Sequence, residues 1–254
     1  MNSYDRRGRV KSIPLVFGHE HPCDYLPGET ARMIYVAPDL SLGRDTYTAL
    51  VMNGFRRSGD LVYRPHCRTC QACLPTRIPV EKFRPSRAQR RTWDRNRELA
   101  ATRKPARYEE EHYRLYLRYL QARHVEGQMS DSSPEDYIGF LGSCWADTEF
   151  CEFRADGRLL AVAVMDVLEH GLSAVYTFFD PDQPQRGLGT HAVLWLVEEA
   201  RRRGLPWVYL GFWIAGCRKM AYKNRFQPLQ VLRRRGWEWA SADEGSAAPN
   251  PGLS

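Results

Sequence analysis

The sequence lacks three features that would assign it to a class directly. No run of apolar residues is long enough to span a bilayer, and the first residues lack the apolar core of a secretory signal. No set of serine, histidine and aspartate that would act as a nucleophilic triad is evident. These absences argue against a membrane protein, a secreted protein and a triad hydrolase, and we expect a cytoplasmic protein.

Acidic residues are fewer than basic ones in a chain that is otherwise typical of globular proteins. The 254 residues include 37 Lys and Arg against 30 Asp and Glu, which gives a formal net charge of +7. A hydrophobic content of 43% is enough for one large domain or two small ones. The positive charge suits a polyanionic partner, but it also serves solubility, so charge alone does not identify a partner.

The composition changes along the chain and predicts four segments. We expect a flexible N-terminus over 1–12, a smaller Cys-containing domain with an Arg-rich linker over 13–104, a second domain over 105–240 and a disordered tail over 241–254. Ser133 before Pro134 is typical of a helix start, and Asp156-Gly157 between apolar runs is typical of a hairpin. The order of helices and antiparallel strands predicts an α+β fold with an acetyltransferase-like (GNAT) layout in the second domain.

Four cysteines form a candidate metal site. Three of them are crowded into Cys67-Arg-Thr-Cys70-Gln-Ala-Cys73, and Cys23 follows a proline in a turn. Four thiolates can hold zinc in a tetrahedral site, and iron–sulfur clusters also need closely spaced cysteines. A second complete Cys-x-x-Cys pair is absent, so free thiols in a turn are an equal alternative.

A basic segment lies between the two halves of the chain. Its arginines recur at short spacing: Arg84, Arg87, Arg90, Arg91 and Arg95. On a helix most of them would form one stripe, which tracks a phosphate backbone without reading base sequence. A solvated helix face is the alternative, but few acidic residues are interleaved, so the pattern favours a nucleic acid.

Charged residues also follow two strand-like segments of the second domain. One such segment ends at Asp180-Pro-Asp182, and the other leads through a glycine to Lys219 and Lys223. On a short helix the two lysines would share one face beside Tyr222, an arrangement that suits a carboxylate or a terminal phosphate. A solvated basic turn is the alternative.

A glycine-containing loop, Gln185-Arg-Gly-Leu-Gly-Thr190, precedes a predicted helix. Glycines there can present backbone N–H groups to a phosphate, and acetyltransferases bind the pyrophosphate of coenzyme A with a similar loop. Pro184 stands where such a loop has a basic or Gln residue. Coenzyme A binding therefore stays an alternative beside a plain helix-initiating turn.

Linked motifs in both halves carry a family resemblance. They are His21-Pro-Cys-Asp-Tyr-Leu-Pro, Gly54-Phe-Arg-Arg-Ser-Gly-Asp60, Tyr63-Arg-Pro-His-Cys67, Gln89-Arg-Arg91 and Cys217-Arg-Lys-Met-Ala-Tyr-Lys223. Together they resemble the arginyl-tRNA–protein transferase family, and within it the bacterial aspartate/glutamate leucyltransferase branch, over about residues 13 to 240. The resemblance implies that leucine is moved from a charged tRNA to proteins beginning with Asp or Glu, which are then directed to N-degron proteolysis. The implied partners are aminoacyl-tRNA and such proteins, with neither membrane nor DNA.

The implied chemistry gives roles to residues of the second domain. An aminoacyl ester is already activated, so the transfer itself requires no cofactor. We expect Asp180 and Tyr222 to be catalytic, with Asp180 orienting or accepting a proton from the incoming amine. We expect Lys219 and Lys223 to hold the acidic side chain of the acceptor or the terminal tRNA phosphate. The residues expected to bind the aminoacyl group are Tyr176, Phe178, Trp213 and Tyr222.

Three alternatives stay open at this point. Asp180 and Asp182 could face an arginyl side chain, so arginine is not excluded as the transferred amino acid. A coenzyme A-dependent N-acetyltransferase would need a complete pyrophosphate loop. A non-catalytic RNA-binding module with a Cys-ligated metal would account for the basic segment and the thiols, but not for the lysine and tyrosine cluster.

Overall fold

An eight-stranded sheet runs through the molecule and takes strands from both halves of the sequence. The computed structural model describes residues 2–4, 10–38, 40, 42–123, 132–217 and 219–241. The architecture is α+β, as predicted. Within the described ranges, no helix combines the length and the apolar character needed to cross a membrane.

Five helices and sixteen strands are described, together with two 3₁₀ turns at Pro184–Arg186 and Ala221–Arg225. The helices are α1 Arg44–Met52, α2 Arg87–Arg95, α3 Glu110–Arg123, α4 Pro134–Leu141 and α5 Leu188–Arg202. The strands of the first half are β1 Asn2–Tyr4, β2 Val10–Ser12, β3 Leu15–Phe17, β4 His21–Pro22, β5 Thr30–Ala31, β6 Met33–Val36, β7 Arg56–Ser58, β8 Leu61–Pro65, β9 Leu74–Pro79 and β10 Ala100–Pro105. The strands of the second half are β11 Thr148–Ala155, β12 Arg158–Leu168, β13 Gly171–Phe179, β14 Trp207–Trp213, β15 Gln230–Arg233 and β16 Gly236–Trp239.

Local signals start and stop several of these elements. Ser133 caps α4 through a reciprocal capping box with Asp136, as the Ser-Pro pair predicted. Ser86 caps α2 in the same way, with Gln89 as its partner. The chain leaves α1 through Gly54, whose φ of +83° an L side chain would strain.

The large sheet has the strand order β10-β11-β12-β13-β14-β9-β15-β16, and a four-stranded sheet has the order β3-β6-β8-β7. The boundary expected near residue 104 therefore does not separate the two sheets, and the prediction is wrong in that respect. Both β9 and β10 precede that boundary, yet they pair with β14 and β11 of the large sheet. In the segment 1–12 that was expected to be flexible, β1 pairs with β2. The tail from 242 to 254 lies outside the described residues.

Helices cover both faces of the large sheet. Along β12 alternate residues point to opposite faces. Ala161 and Ala163 pack in the cluster that contains Leu188 and Ala192 of α5. On the other face, Val162 and its alternating neighbours pack against the tyrosines and leucines of α3 and α4. Because both faces are covered, β12 is buried along almost its whole length.

A buried ion pair joins the small sheet to the large one. Arg57 of β7 and Asp166 of β12 have completely buried side chains, and Nη2 of Arg57 lies 2.7 Å from Oδ1 of Asp166. Nε of Arg57 donates to the second carboxylate oxygen at 2.7 Å, so the contact is bidentate. The remaining donors of the guanidinium bind the carbonyls of Gly59, Leu141 and Gly142. A pair with all its donors satisfied can persist in a dry core.

Breaking this pair should destabilise the protein more than breaking an exposed one. We expect Asp166→Asn to lower the free energy of unfolding by about 3–5 kcal/mol, because the buried guanidinium of Arg57 loses its counter-charge. Arg44→Gln is the control, since the Arg44–Asp147 pair has side chains 53% and 44% exposed. Its loss should cost about 1 kcal/mol or less. Urea unfolding measures both values, and equal losses would contradict the role given to the buried pair.

Candidate active site

Strands β13 and β14 run side by side only at their beginnings. Their parallel pairing extends from Gly171–Trp207 to Ser173–Tyr209 and then stops. A register shift interrupts the pairing of β13 with β12 between Val164 and Met165, and another interrupts that of β14 with β9 just before Gly211. Extra residues of this kind bend a strand and release its backbone from the ladder. The two strands therefore part and leave a notch.

Arg56, from the small sheet, lies in this notch. Its Nη2 donates to the carbonyl oxygens of Ala174 at 3.3 Å and of Val175 at 3.0 Å. These carbonyls lie where β13 has lost its neighbour, so the guanidinium satisfies backbone groups that the sheet leaves unpaired. A Cβ on Gly211 would lie 2.5 Å from Cζ, Nε and Nη1 of Arg56. The glycine, with φ +74°, is therefore required for this close approach.

Aromatic side chains surround the notch. Phe212 of β14 lies 5.9 Å from the Arg56 guanidinium and 6.4 Å from the ring of Tyr63. On the β13 side, Tyr176 packs against Tyr119 at 6.3 Å and against Phe140 at 5.4 Å. The expected pocket residue Tyr176 is thus half-buried among rings of α3 and α4.

Tyr222 lies at the rim. Burial raises the pKa of its hydroxyl, and the positive charge of Arg56 opposes that shift. The residue nevertheless keeps 42% of its surface exposed. A rim position beside the Arg56 charge is consistent with the substrate contact expected of Tyr222.

Lys219 and Lys223 do not form the expected pair on one helix face. The segment is a turn followed by a 3₁₀ turn rather than an α-helix, so residues four apart do not share a face. Lys219 is exposed, whereas Lys223 is 6% exposed and donates its ammonium to the carbonyl of Phe212. Burial, followed by the repulsion of Arg56, holds the pKa of Lys223 well below its ordinary value. A lysine in this state is a poor permanent cation for a carboxylate.

Asp180 is not placed as a free proton acceptor. It is 1% exposed, and its two oxygens accept from two guanidiniums, that of Arg118 at 2.8 Å and that of Arg158. Arg118 also binds Asp182 at 2.6 Å. Because the side chain is buried and both oxygens already accept from arginines, we correct the expected role of Asp180 to a structural one that ties α3 and β12 to the end of β13.

Two of the expected pocket residues are buried away from an open surface. Phe178 is fully buried and packs against Tyr116 and Tyr137, at 5.5 and 6.2 Å. It belongs to the core under α3 and α4, so its expected contact with the aminoacyl group is wrong. Trp213 is 1% exposed, and its indole N–H has no hydrogen-bond partner in the part of the chain that the structure describes.

The five arginines expected to bind tRNA are all exposed, and four of them lie on α2. Helix α2 is attached to loops near the notch. Gln89 donates to the carbonyl of Arg225 at 2.9 Å, and Asn96 donates to that of Arg186 at 2.8 Å. Within the described ranges, none of the five has an acidic partner, although Arg84, Arg90 and Arg95 bind backbone carbonyls. The cationic surface is therefore uncompensated and adjoins the candidate site.

Cys23, Cys67, Cys70 and Cys73 line one small pocket. Burial, followed by the proximity of the other thiols, raises the pKa of Cys73 to about 12. Their sulfur atoms are not packed as closely as those of a preformed metal site. Among the described residues, the group of potential ligands whose atoms all lie within 4.8 Å of one another is instead Glu109, His112 and Glu152. That group already holds Lys104, 2.8 Å from Glu152 and 2.9 Å from Glu109, and is an ion-pair network.

Arg56 is the site residue that sequence reasoning missed. The signal was present in Gly54-Phe-Arg-Arg-Ser-Gly-Asp60, which contributed to the family resemblance but was given no role. Two consecutive arginines on a strand must point to opposite faces. If one is buried in the core, as Arg57 is, the other faces the opposite side of β7.

Comparisons with known proteins identify the class and then the family. Models described as the N terminus and the C terminus of arginine-tRNA-protein transferase match residues 21–91 and 111–233. The chain is 50% identical over 218 residues to the aspartate/glutamate leucyltransferase of Nitrosococcus oceani, spanning 85% of this chain and 91% of that protein. It is 46% identical over 243 residues to that of Chromobacterium violaceum, spanning 96% and 100%. The chain therefore belongs to the arginine-tRNA-protein transferase family, as its motifs predicted.

Solved structures align with the chain at low sequence identity. L-PGS from Bacillus licheniformis aligns with a TM-score of 0.45 and 13% identity, over 56% of this chain and 46% of that one. FemX aligns with a TM-score of 0.44 and 9% identity, over 82% and 77%.

Proposed function

We propose that this chain transfers leucine from Leu-tRNA to the α-amino group of proteins that begin with Asp or Glu, and so marks them for N-degron proteolysis in the cytoplasm. The observation that carries the proposal is the near-full-length similarity, at about 50% identity, to proteins named aspartate/glutamate leucyltransferase. The notch, its aromatic walls and the adjoining basic helix are the features of this chain that suit the reaction.

The reaction makes modest demands on the protein. The nitrogen of the acceptor attacks the ester carbonyl, an amide bond forms, and the ester bond to the terminal ribose breaks. The released hydroxyl takes up the proton. An α-amino group has a pKa of roughly 8, so a useful fraction is neutral at physiological pH. Holding the two reactants together can supply about 7–11 kcal/mol of the barrier in favourable cases. Positioning therefore suffices without a nucleophilic triad.

The parted strands β13 and β14 support an acetyltransferase-like arrangement of the catalytic part. The glycine loop before α5, however, is covered from one side by α2. A Cβ on Gly187 would lie 3.3 Å from Thr92, and the carbonyls of Gln185 and Arg186 accept from Arg95 and Asn96. Two N–H groups of the loop are also used internally, since those of Arg186 and Gly187 donate to the carbonyls of Gln183 and Pro184. A loop whose N–H groups are engaged in this way, with Pro184 before it, argues against coenzyme A as the acyl donor.

The environment of the two aspartates favours leucine over arginine. An arginyl side chain needs a free carboxylate, and Asp180 and Asp182 were the candidates. Both bind Arg118, and Asp180 is buried with a second arginine. The rings near β13, including Tyr119, Phe140 and Tyr176, instead offer apolar surface to the aminoacyl group.

We further propose that the exposed arginines beside and along α2 guide the acceptor arm of tRNA towards the notch. The support is their uncompensated charge and the attachment of α2 to the loops at 183–187 and 221–225. Contacts of this kind bind phosphates and leave the base sequence unread.

Removing two of these charges should weaken the salt dependence of tRNA binding. For the double variant Arg87→Gln with Arg91→Gln we expect the slope of log K against log salt concentration to shrink by roughly 0.7–0.9 per lost phosphate contact. Filter binding with charged tRNA over a series of salt concentrations measures the slope. Arg114→Gln is the control, because Arg114 is an exposed arginine of α3 that pairs with Glu110 at 2.7 Å. A slope equal to that of the unaltered protein would rule out the α2 surface.

The four-cysteine pocket supports a second proposal, a structural zinc ion or iron–sulfur cluster. The thiols converge on one pocket, although their sulfur atoms would have to draw together to share a metal. We expect elemental analysis of the purified protein to find a metal that is lost in Cys70→Ser and kept in Cys144→Ser, which alters an exposed cysteine outside the pocket. Equal metal content in both variants would exclude these thiols as ligands.

The transfer assay tests the function directly. Labelled leucine and labelled arginine, each on its own tRNA, are offered with peptides that begin with Asp, Glu or Ala. We expect leucine to reach the Asp and Glu peptides, little of it to reach the Ala peptide, and arginine transfer to be much slower. Transfer without preference among the three peptides would refute the proposed acceptor specificity.

A further inference from the structure

The hydrogen bonds described for the guanidinium of Arg56 use only one of its three nitrogen atoms. Its Nη2 binds two backbone carbonyls of β13, those of Ala174 and Val175. Nε and Nη1 lie against Gly211, and neither has a hydrogen-bond partner among the residues that the structure describes. No carboxylate there pairs with Arg56 either, whereas Arg57, next to it in the same strand, is fully paired.

A half-buried arginine without a counter-charge is suited to an anion. Carbonyl oxygens satisfy only part of its donors, and its charge is never lost by deprotonation. The recess is bounded by the Phe212 ring and lies beside the buried Lys223, whose pKa the Arg56 charge helps to depress. An arriving anion would meet a cation in a site partly withdrawn from water, where charge-assisted hydrogen bonds are strong.

A carboxylate fits this recess better than a phosphate of the tRNA backbone. A single guanidinium with unoccupied donors at Nε and Nη1 can bind one carboxylate through a charge-assisted hydrogen bond, whereas a nucleic-acid backbone is followed by several exposed cations. Such cations are present on α2. The two lysines expected to hold the acidic side chain are less suitable, because Lys219 is exposed and Lys223 is buried against a carbonyl.

We infer that Arg56 binds the side-chain carboxylate of the acceptor protein's N-terminal Asp or Glu, and so determines the acceptor specificity of the enzyme. This inference rests on the proposed leucyl transfer and adds to it the residue that reads the acceptor. The acidic side chain would enter between the parted strands, and the lack of a side chain at Gly211 leaves space for the guanidinium.

Replacing Arg56 should abolish the preference for acceptors with an acidic first residue over acceptors with an uncharged one. We expect Arg56→Gln to lower kcat/KM for Asp- and Glu-starting peptides by roughly 10- to 100-fold, mainly through KM, because a charge-assisted contact made in the ground state is lost. Transfer to the matched Asn-starting peptide should change little. The measured quantity is the Asp-to-Asn ratio of kcat/KM, which a general loss of active protein would not alter.

Two further variants keep the test decisive if Arg56→Gln folds poorly. Arg56→Lys keeps a positive charge without the fork of donors and should give an intermediate Asp-to-Asn ratio. Arg32→Gln is the matched control, because Arg32, just before β6, is also half-buried but stacks on Phe17 at 4.2 Å. It should leave the ratio unchanged.

The outcomes separate this inference from the proposed function. If the unaltered protein transfers leucine to none of the peptides, the proposed function fails. If it transfers leucine but both Arg56 variants retain the full Asp-to-Asn ratio, only the role of Arg56 fails. A fall in affinity for charged tRNA with an unchanged ratio would show that Arg56 binds a tRNA phosphate, and would overturn the inference.

Discussion

The ion pair between Arg57 and Asp166 is the constraint on which the site depends. It fixes the edge strand of the small sheet to an interior strand of the large one, and the hydroxyl of Tyr47 donates a further hydrogen bond to Asp166 at 2.8 Å. Thr148 also donates to the same carboxylate. Because each partner is saturated with hydrogen bonds, β7 has one orientation, and the residue before Arg57 must point to the other side of the strand. That residue is Arg56.

The large sheet provides a place for Arg56 through two local irregularities. The register shifts in β13 and β14 lie at nearly the same level, so the strands separate there together. Separation alone would leave carbonyls without donors in a buried region, which is costly. The guanidinium supplies those donors from a different part of the chain. The small sheet thus contributes a residue to the candidate site. Strands from both halves of the chain also share the large sheet, so the structure is not divided where the composition changes.

The sequence predicted the elements that short-range signals control. The N-terminal cap of α4 and the hairpin turn at Asp156-Gly157 depend on residues within a few positions of one another. It did not predict that β9 and β10 join the large sheet, because strand partners distant in sequence leave no local trace. The prediction of the site residues was limited in the same way, because their partners are also distant in sequence. A carboxylate such as Asp180 resembles a base until its arginine partners, which come from α3 and β12, are known.

Lys223 and Arg56 respond differently to burial because an amine and a guanidinium differ in how readily they lose a proton. Both cations are withdrawn from water near the notch, and each has backbone carbonyls as hydrogen-bond acceptors. An amine in such a place can relieve the cost of burial by losing its proton, and the pKa of Lys223 is lowered accordingly, first by burial and then by Arg56. A guanidinium cannot relieve the cost in this way, since it stays protonated at physiological pH. The permanent charge of a guanidinium is therefore better suited to the recognition of an acidic side chain that we infer for Arg56.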